Sequence, residues 1–311
     1  MDRGLEAAPE RAPLVGFLTR VWGGRVHYHS VGEGRPVLLL HGNGSLGEEI
    51  LAGFPPLPGI RWIAPDRPGY GLSEPLPPGH EGPLTLAAWI ADFLAHCDAP
   101  RVVVAAHSIA AGAATCFAGA HPDRVDRLVL LAPFCRPTPH RWMLGLRLAV
   151  APGIGRPVRA MVVPALVSRM RRRILERMVS PHPVPASLER FPLRHAARPQ
   201  ALLTTAAELR RFNEDMAVAG AHLTLRMPVT VLSGDRDETA PGRWHLPWLR
   251  ARARRLRLLT APGVGHLVHH VVPDRALAAV LDRRTAAPGN RSGQPVLAAG
   301  SHADGGPSHD P

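Results

Sequence analysis

Apolar residues along this chain follow two alternating rhythms. Gly16 to Trp22 and Arg25 to Ser30 are short β-rich runs parted by Gly23-Gly24, which predicts a hairpin. Pro36 to Leu40 is continuously apolar, the pattern of a strand covered on both faces, and it stops at His41-Gly42-Asn43-Gly44. Glu48 to Phe54 is a further apolar stretch, and Ile60 to Ala64 predicts another strand, ending at Pro65-Asp66-Arg67-Pro68-Gly69-Tyr70-Gly71. Leu84 to Cys97 places Leu86, Trp89, Ile90, Phe93 and Leu94 at helical spacing. Arg101 to Ala106 predicts a strand, Ile109 to Ala120 a helix, and Val125 to Leu131 a strand.

This strand–helix–strand succession predicts an α/β fold with a mostly parallel sheet and helices on both faces. Between about Arg136 and His222 it gives way to apolar and arginine-bearing helical stretches punctuated by seven prolines from Pro152 to Pro192. A segment this long is no simple connector and is expected to form a helical cap. The sheet pattern then resumes with a strand at Val229 to Leu232, a helix at Trp244 to Ala253, a strand at Leu256 to Thr260 and one last helix at Leu267 to Leu281. The expected organisation is a flexible N-terminus (1–14), a core from 15–135 and 223–283, a cap at 136–222 and a disordered Gly-, Pro- and Ser-rich tail at 284–311.

Composition adds limits rather than identity. At 311 residues and 45% hydrophobic the chain can bury one large core. Its first residues, MDRGLEAAPERAP, lack the apolar centre of a secretory signal, and no apolar run approaches the ~18 residues of a membrane span. Three widely spaced cysteines, Cys97, Cys116 and Cys135, argue for free buried thiols and a cytoplasmic setting. The net charge of +12 comes from a chain whose 37 basic residues are all arginine, a usage that reads as coding bias more than as a nucleic-acid face. Two arginine clusters, Arg169 to Arg177 and Arg250 to Arg257, are expected to be solvated helix faces, with peripheral membrane contact as the alternative. No nucleic-acid partner is expected, and the sequence carries no sign of oligomeric state.

The sharpest chemical signal is Val102-Val103-Val104-Ala105-Ala106-His107-Ser108-Ile109-Ala110-Ala111-Gly112, a buried strand running straight into a helix of small residues. A nucleophile elbow needs such a turn, with small residues two before and two after the serine. Glycine is usual there; Ala106 and Ala110 keep the small size without matching the motif literally. The plainer reading is a serine N-cap. A serine hydroxyl needs a base to take its proton and a carboxylate to orient that base. Both are supplied after later strands: Gly234-Asp235-Arg236-Asp237 follows one, and Gly265-His266 follows the last. Asp237 and Asp235 are both candidates for the acid. His107 neighbours Ser108 but points away around the turn, so His266 is the expected base. His269 and His270 are expected at the surface or on a pocket wall. Neither a metal-binding motif nor a cofactor fingerprint is found, His27 and His29 on one strand face being the nearest approach to a ligand pair.

Together His41 to Gly44, Asp66 to Gly71, the serine elbow, Gly234 to Pro241 and Gly265-His266 resemble the capped α/β-hydrolases over roughly Val15 to Arg283. The resemblance implies Ser108 as nucleophile, His266 as base and Asp237, third after Gly234, as acid. It also implies an oxyanion hole from the backbone amides of Ile109 and of Asn43, with Gly44 the next candidate, and a structural role for Asp66 to Gly71. A serine at position 108 departs from the aspartate nucleophile of haloalkane dehalogenases and epoxide hydrolases. The expected activity is hydrolysis of an ester or related acyl bond in a small, fairly apolar substrate through an acyl-enzyme. A C–C bond hydrolase or cofactor-free peroxidase on the same triad, and a non-catalytic binding protein, are the alternatives.

Overall fold

The computed structural model describes residues 15–138 and 144–282, so the expected flexible end at 1–14 and disordered tail at 284–311 lie outside the described residues. Eight strands form one sheet in the order β1-β2-β4-β3-β5-β6-β7-β8. These are β1 (Phe17–Val21), β2 (Gly24–Val31), β3 (Arg35–Leu40), β4 (Ile60–Pro65), β5 (Val102–His107), β6 (Val125–Leu131), β7 (Leu225–Gly234) and β8 (Ala253–Ala261). β2 pairs antiparallel with β1 and β4, and every other pairing is parallel. The first hairpin turns on Trp22 and Gly23, both at positive φ (53° and 81°), the signature of a two-residue turn of the primed type.

Alternation explains why the central strands are continuously apolar. Leu38, Leu40, Val102, Val104, Ala106, Leu128 and Leu130 enter one core cluster, with α2 (Pro83–His96) and α3 (Ala110–Ala120). Their neighbours Val37, Leu39, Val103, Ala105, Val129 and Leu131 enter the opposite cluster, with α1 (Gly47–Leu51) and residues near the chain's last helices. Successive side chains point to opposite faces, so covering both faces demands apolar residues at every position. Because β3 and β5 to β8 run parallel, their carboxyl ends meet along one edge of the sheet, and residues 41, 108, 132, 235 and 262 follow those ends directly.

Between β6 and β7 the described residues form helices and no strand: α4 (Leu144–Val150), α5 (Gly155–Pro157), a π turn (Val158–Val162), α6 (Val163–Val179), α7 (Ala186–Glu189), α8 (Leu193–Ala196) and α9 (Pro199–His222). Val167, Leu175, Val179, Leu188, Phe191 and Leu193 form a cluster that closes on Leu46, after the β3 loop, and Leu267, beside His266. The insertion is thereby seated over the carboxyl edge. Further along, α9 returns to the core, and its Phe212 and Met216 join the main cluster.

Three expected elements change, the first being β8, which begins at Ala253, three residues before its expected start and at the last residue of the expected helix before it. β7 begins four residues earlier than its apolar run, carried across Pro228 by an irregular register with β8. The expected single final helix is instead α11 (Val268–Val271) and α12 (Pro273–Leu281), following α10 (Gly242–Arg250). The break is at Val272, whose φ of −129° and ψ of 60° lie outside the helical region, since a residue before proline is pushed away from α geometry. No helix among the described residues is long and apolar enough to cross a membrane.

The approach of α3 to α9 depends on Gly112, where a Cβ would stand 2.6 Å from the Phe212 ring. Gly112→Val is expected to lower stability by about 1–3 kcal/mol, as overpacked cores do, with Phe212→Leu restoring part of the loss; thermal melts of the single and double variants measure both.

Candidate active site

Ser108 occupies the turn between β5 and α3 with φ of +55°, a left-handed conformation costly for a residue with a Cβ. Neighbouring backbone holds it there. Its amide donates to Leu131 O at 3.0 Å, and its carbonyl accepts from the amides of Phe134 at 3.0 Å and Ala111 at 3.1 Å. Ala106 and Ala110, both buried, provide the small flanking positions. The serine is thus an elbow, not a plain N-cap: α3 carries no side-chain cap, and Ser108 Oγ points instead to His266.

His266 Nε2 lies 2.9 Å from Ser108 Oγ, and its Nδ1 lies 2.8 Å from Asp237 Oδ2. Asp237 Oδ1 accepts from the amides of Thr239 at 2.8 Å and Ala240 at 2.9 Å. Burial by itself would raise this carboxyl, but the hydrogen bond and charge of His266 and the two amides outweigh it and hold Asp237 below the usual value. An ionised Asp237 fixes the tautomer: Nδ1–H donates to the carboxylate, leaving Nε2 to accept from the serine hydroxyl. Asp235, the other candidate acid, turns elsewhere and accepts from Gly263 N at 2.7 Å, bracing the loop that carries His266. His107 Nε2–H donates to His266 O at 3.2 Å, so this histidine supports the backbone of His266 and does not approach the serine hydroxyl.

The loop after β3 runs tight against the elbow. A Cβ on Gly42 would stand 3.0 Å from His107 Nδ1 and 3.1 Å from Ser108 Cβ, which brings residue 43 beside the serine. The backbone amides of Asn43 and Ile109 donate to no backbone acceptor among the described residues. Asn43 Oδ1 accepts from Tyr70 Oη at 2.8 Å, and Tyr70 Oη also lies 2.8 Å from Glu208 Oε2. Arg67 completes this buried assembly: its Nη1 pairs with Glu208 Oε1, and its Nε donates to His41 O at 2.8 Å. Asp66 stays structural, accepting from His27 Nδ1 at 2.7 Å and from the amides of Gly47 and Leu72. Sequence reading missed Arg67, Tyr70 and Glu208 as a unit because Glu208 comes from α9, 141 residues from Arg67.

Comparison with known proteins identifies the family. A family model described as alpha/beta hydrolase fold matches residues 35–273. The chain belongs to the α/β-hydrolase family. Over 130 residues it is 35% identical to a 2-hydroxymuconate semialdehyde hydrolase of Pseudomonas putida, a stretch covering 40% of this chain and 45% of that one. Over 114 residues it is 34% identical to a non-heme chloroperoxidase of Kitasatospora aureofaciens, covering 35% of this chain and 41% of that one. The matched stretch spans less than half the length of either relative. Among solved structures, an enol-lactonase from Burkholderia xenovorans LB400 superposes with a TM-score of 0.67 at 17% identity, covering 86% of this chain and 98% of that one. A thermophilic esterase from Thermogutta terrifontis gives 0.63 at 23%, covering 85% and 95%. At these identities the structures speak for the fold alone.

This α/β-hydrolase also contains a buried group that the sequence reading placed wrongly. His269 and His270 are not surface residues: both are buried, and both Nε2 atoms meet Glu49 Oε1, at 2.9 and 2.8 Å. α11 turns inward here because Leu267 and Val268 are anchored in the core, which carries the two imidazoles under α1. Glu49 Oε2 accepts from Ser45 Oγ at 2.6 Å, and His270 Nδ1 meets Ser187 Oγ at 3.0 Å. The ligand atoms of Glu49, His269 and His270 lie within 4.8 Å of one another, close enough to hold a metal ion. Both Nε2 atoms are engaged with Glu49, whereas His269 Nδ1 is buried with no hydrogen-bond partner among the described residues. The clue in the sequence was Glu48-Glu49 inside an otherwise apolar stretch.

Several imidazoles are kept neutral by burial. His41 is pushed down to about 3 by desolvation and by Arg67; its Nε2 accepts from Arg67 N at 2.9 Å and so has no room for a second proton. His245, near Phe134, is pushed down to about 4, chiefly by desolvation. In the unfolded chain both take up a proton near 6.5, so below that pH the unfolded state binds more protons and gains on the fold. Their contribution is complete above pH 6.5 and is lost as pH falls toward 4, at roughly 1.4 kcal/mol per pH unit for each imidazole. Melting temperature measured from pH 8 to pH 4 is expected to be level at first and then to fall below about 6.5. At fixed pH, Glu208→Ala strands the Arg67 charge in the core and is expected to cost about 3–5 kcal/mol in denaturant unfolding, with Glu208→Gln costing less.

Proposed function

We propose that the chain is a serine hydrolase that cleaves an ester or related acyl bond of a small, fairly apolar substrate, with Ser108 as nucleophile, His266 as general base and Asp237 as orienting acid. One observation carries the reading: the line Ser108–His266–Asp237, with contacts of 2.9 and 2.8 Å, beside a loop whose residue-43 amide donates to no backbone acceptor among the described residues. His266 Nε2 takes the hydroxyl proton as Oγ attacks the carbonyl carbon. Charge then develops on the carbonyl oxygen, where the amides of Asn43 and Ile109 would donate. His266 returns the proton to the leaving group, and the acyl-enzyme is released by a water that the same imidazole activates. Through all of this Asp237 keeps its charge and stabilises the imidazolium.

The helical insertion serves in this reading as a cap that selects the substrate, its inner face apolar at Val167, Leu175 and Leu188. The three cysteines, free and buried, suit a reducing compartment and a cytoplasmic site of action. A second reading, hydrolysis of a C–C bond in an activated diketone, is favoured by the 35% identity to the semialdehyde hydrolase and uses the same triad. Turnover of a panel holding an ester, a thioester, a lactone and a diketone separates the two.

Ser108→Ala is expected to lower turnover of a short p-nitrophenyl ester by about 10⁴-fold or more. Asp237→Asn, with the wrong tautomer at His266, is expected to lower kcat by a factor on the order of 10⁴ with little change in KM. A fluorophosphonate probe should label the parent chain and not Ser108→Ala. A parent chain that stays unlabelled and inert would instead point to the non-catalytic binding protein.

A further inference from the structure

The charge of this chain is not spread evenly. Residues 136–222 hold fifteen arginines against five acidic residues, so the insertion accounts for +10 of the net +12. From Arg127 to Leu175 there is no aspartate or glutamate at all. A coding bias alone does not concentrate charge in this way.

The same stretch exposes apolar side chains. Ile154, just before α5, is 54% exposed, and Met161 (65%), Val162 (54%) and Leu166 (50%) lie on the π turn and the first turn of α6. Further along α6 the exposed positions are Ser168, Arg169, Arg172, Arg173 and Arg177, with Glu176 beside them. Met161, Ala165, Arg169 and Arg173 follow at four-residue intervals, so the apolar patch passes into the cationic one along a single helical face. Arg171 points the other way, buried against the carbonyls of Glu189 and Phe191, and Arg172 pairs with Glu176 at 2.8 Å.

We propose that this outer face of α5, the π turn and α6 docks on an anionic lipid bilayer, with Ile154, Met161, Val162 and Leu166 entering the headgroup boundary and Arg169, Arg173 and Arg177 meeting lipid phosphates. An interfacial helix needs both components, an apolar face and a flanking cationic one, and this face has both. A second copy of the chain would set two arginine-rich faces against each other with little opposing charge. A nucleic-acid backbone would use the arginines and leave the exposed apolar group in water. The inner face of α6 packs through Val167, Leu175 and Val179 on Leu46 and Leu267, so docking holds the Ser108 centre close beneath the lipid surface.

Full-length Ser108→Ala protein, which cannot turn over lipid on the proposed mechanism, is sedimented with vesicles of phosphatidylcholine alone or mixed with phosphatidylglycerol. Two further variants are made on it: Met161→Ser/Val162→Ser/Leu166→Ser, and Arg169→Gln/Arg173→Gln/Arg177→Gln. The expected result is retention on the phosphatidylglycerol vesicles only, weakened by salt, lost in the apolar variant and reduced roughly a hundredfold in the arginine variant. Unchanged thermal melts show that both variants fold. Protein that remains in the supernatant with both vesicles overturns the proposal, and so does retention that neither variant alters. A concentration-dependent dimer dissolved by the apolar variant assigns the face to a second copy, and tighter binding to duplex DNA that survives the apolar variant assigns it to nucleic acid. Because binding is read without turnover, failure here leaves the reading of Ser108 untouched.

Discussion

The site rests on a serine held where a side chain is unwelcome. At φ of +55° the Cβ of Ser108 is strained, and the turn persists because its surroundings over-determine it. Leu131 O takes its amide, Phe134 and Ala111 donate to its carbonyl, and the Gly42 backbone closes against its Cβ. That crowding explains the residues around it. Any branched side chain at 106 or 110 would push β5 and α3 apart, so the places go to the smallest residues with a Cβ. Alanine meets the steric need that glycine usually meets, and retains a stiffer backbone in doing so.

What was legible in the chain follows from the same geometry. Strands covered on both faces must be apolar throughout, so β3, β5 and β6 stood out; their ends marked residues 41, 108 and, with β7 and β8, 237 and 266. Positions fixed by local chain sense were therefore readable. Positions fixed by partners far away were not. Glu208 looks like any surface acid of a helix until α9 is folded against Arg67, and His269 and His270 look like surface imidazoles until α11 turns under α1 to meet Glu49. The end of α11 was hidden for a different reason: Pro273 was visible, but proline is equally at home in the first turn of a helix, and an apolar run spanned it.

Charge is handled in two zones. Inside, Glu49 is held well below the ordinary value because its contacts with His269 and His270 outweigh the cost of burial, and Asp66 is held at about 2 in the same way by His27 and two amides. Around them the imidazoles His41, His107 and His245 are neutral, with burial the leading cause in each. Outside, the insertion carries nearly all of the excess arginine.

These zones act on acyl transfer in opposite senses. In the proposed mechanism, a cationic insertion over the carboxyl edge favours a developing oxyanion but disfavours the imidazolium formed at His266 in the same step. The two charges arise a few ångströms apart, so a distant field stabilises one nearly as much as it penalises the other, and screening over about 10 Å weakens it further. The difference has to be made locally, by groups that distinguish the two charges by direction. Asp237, 2.8 Å from His266 Nδ1 and on the far side of the ring from Ser108, answers the imidazolium alone. The amides of residues 43 and 109, on the serine side, would in the proposed mechanism answer the oxyanion alone. Short-range geometry at the elbow therefore outweighs the net charge of the chain in setting the proposed chemistry.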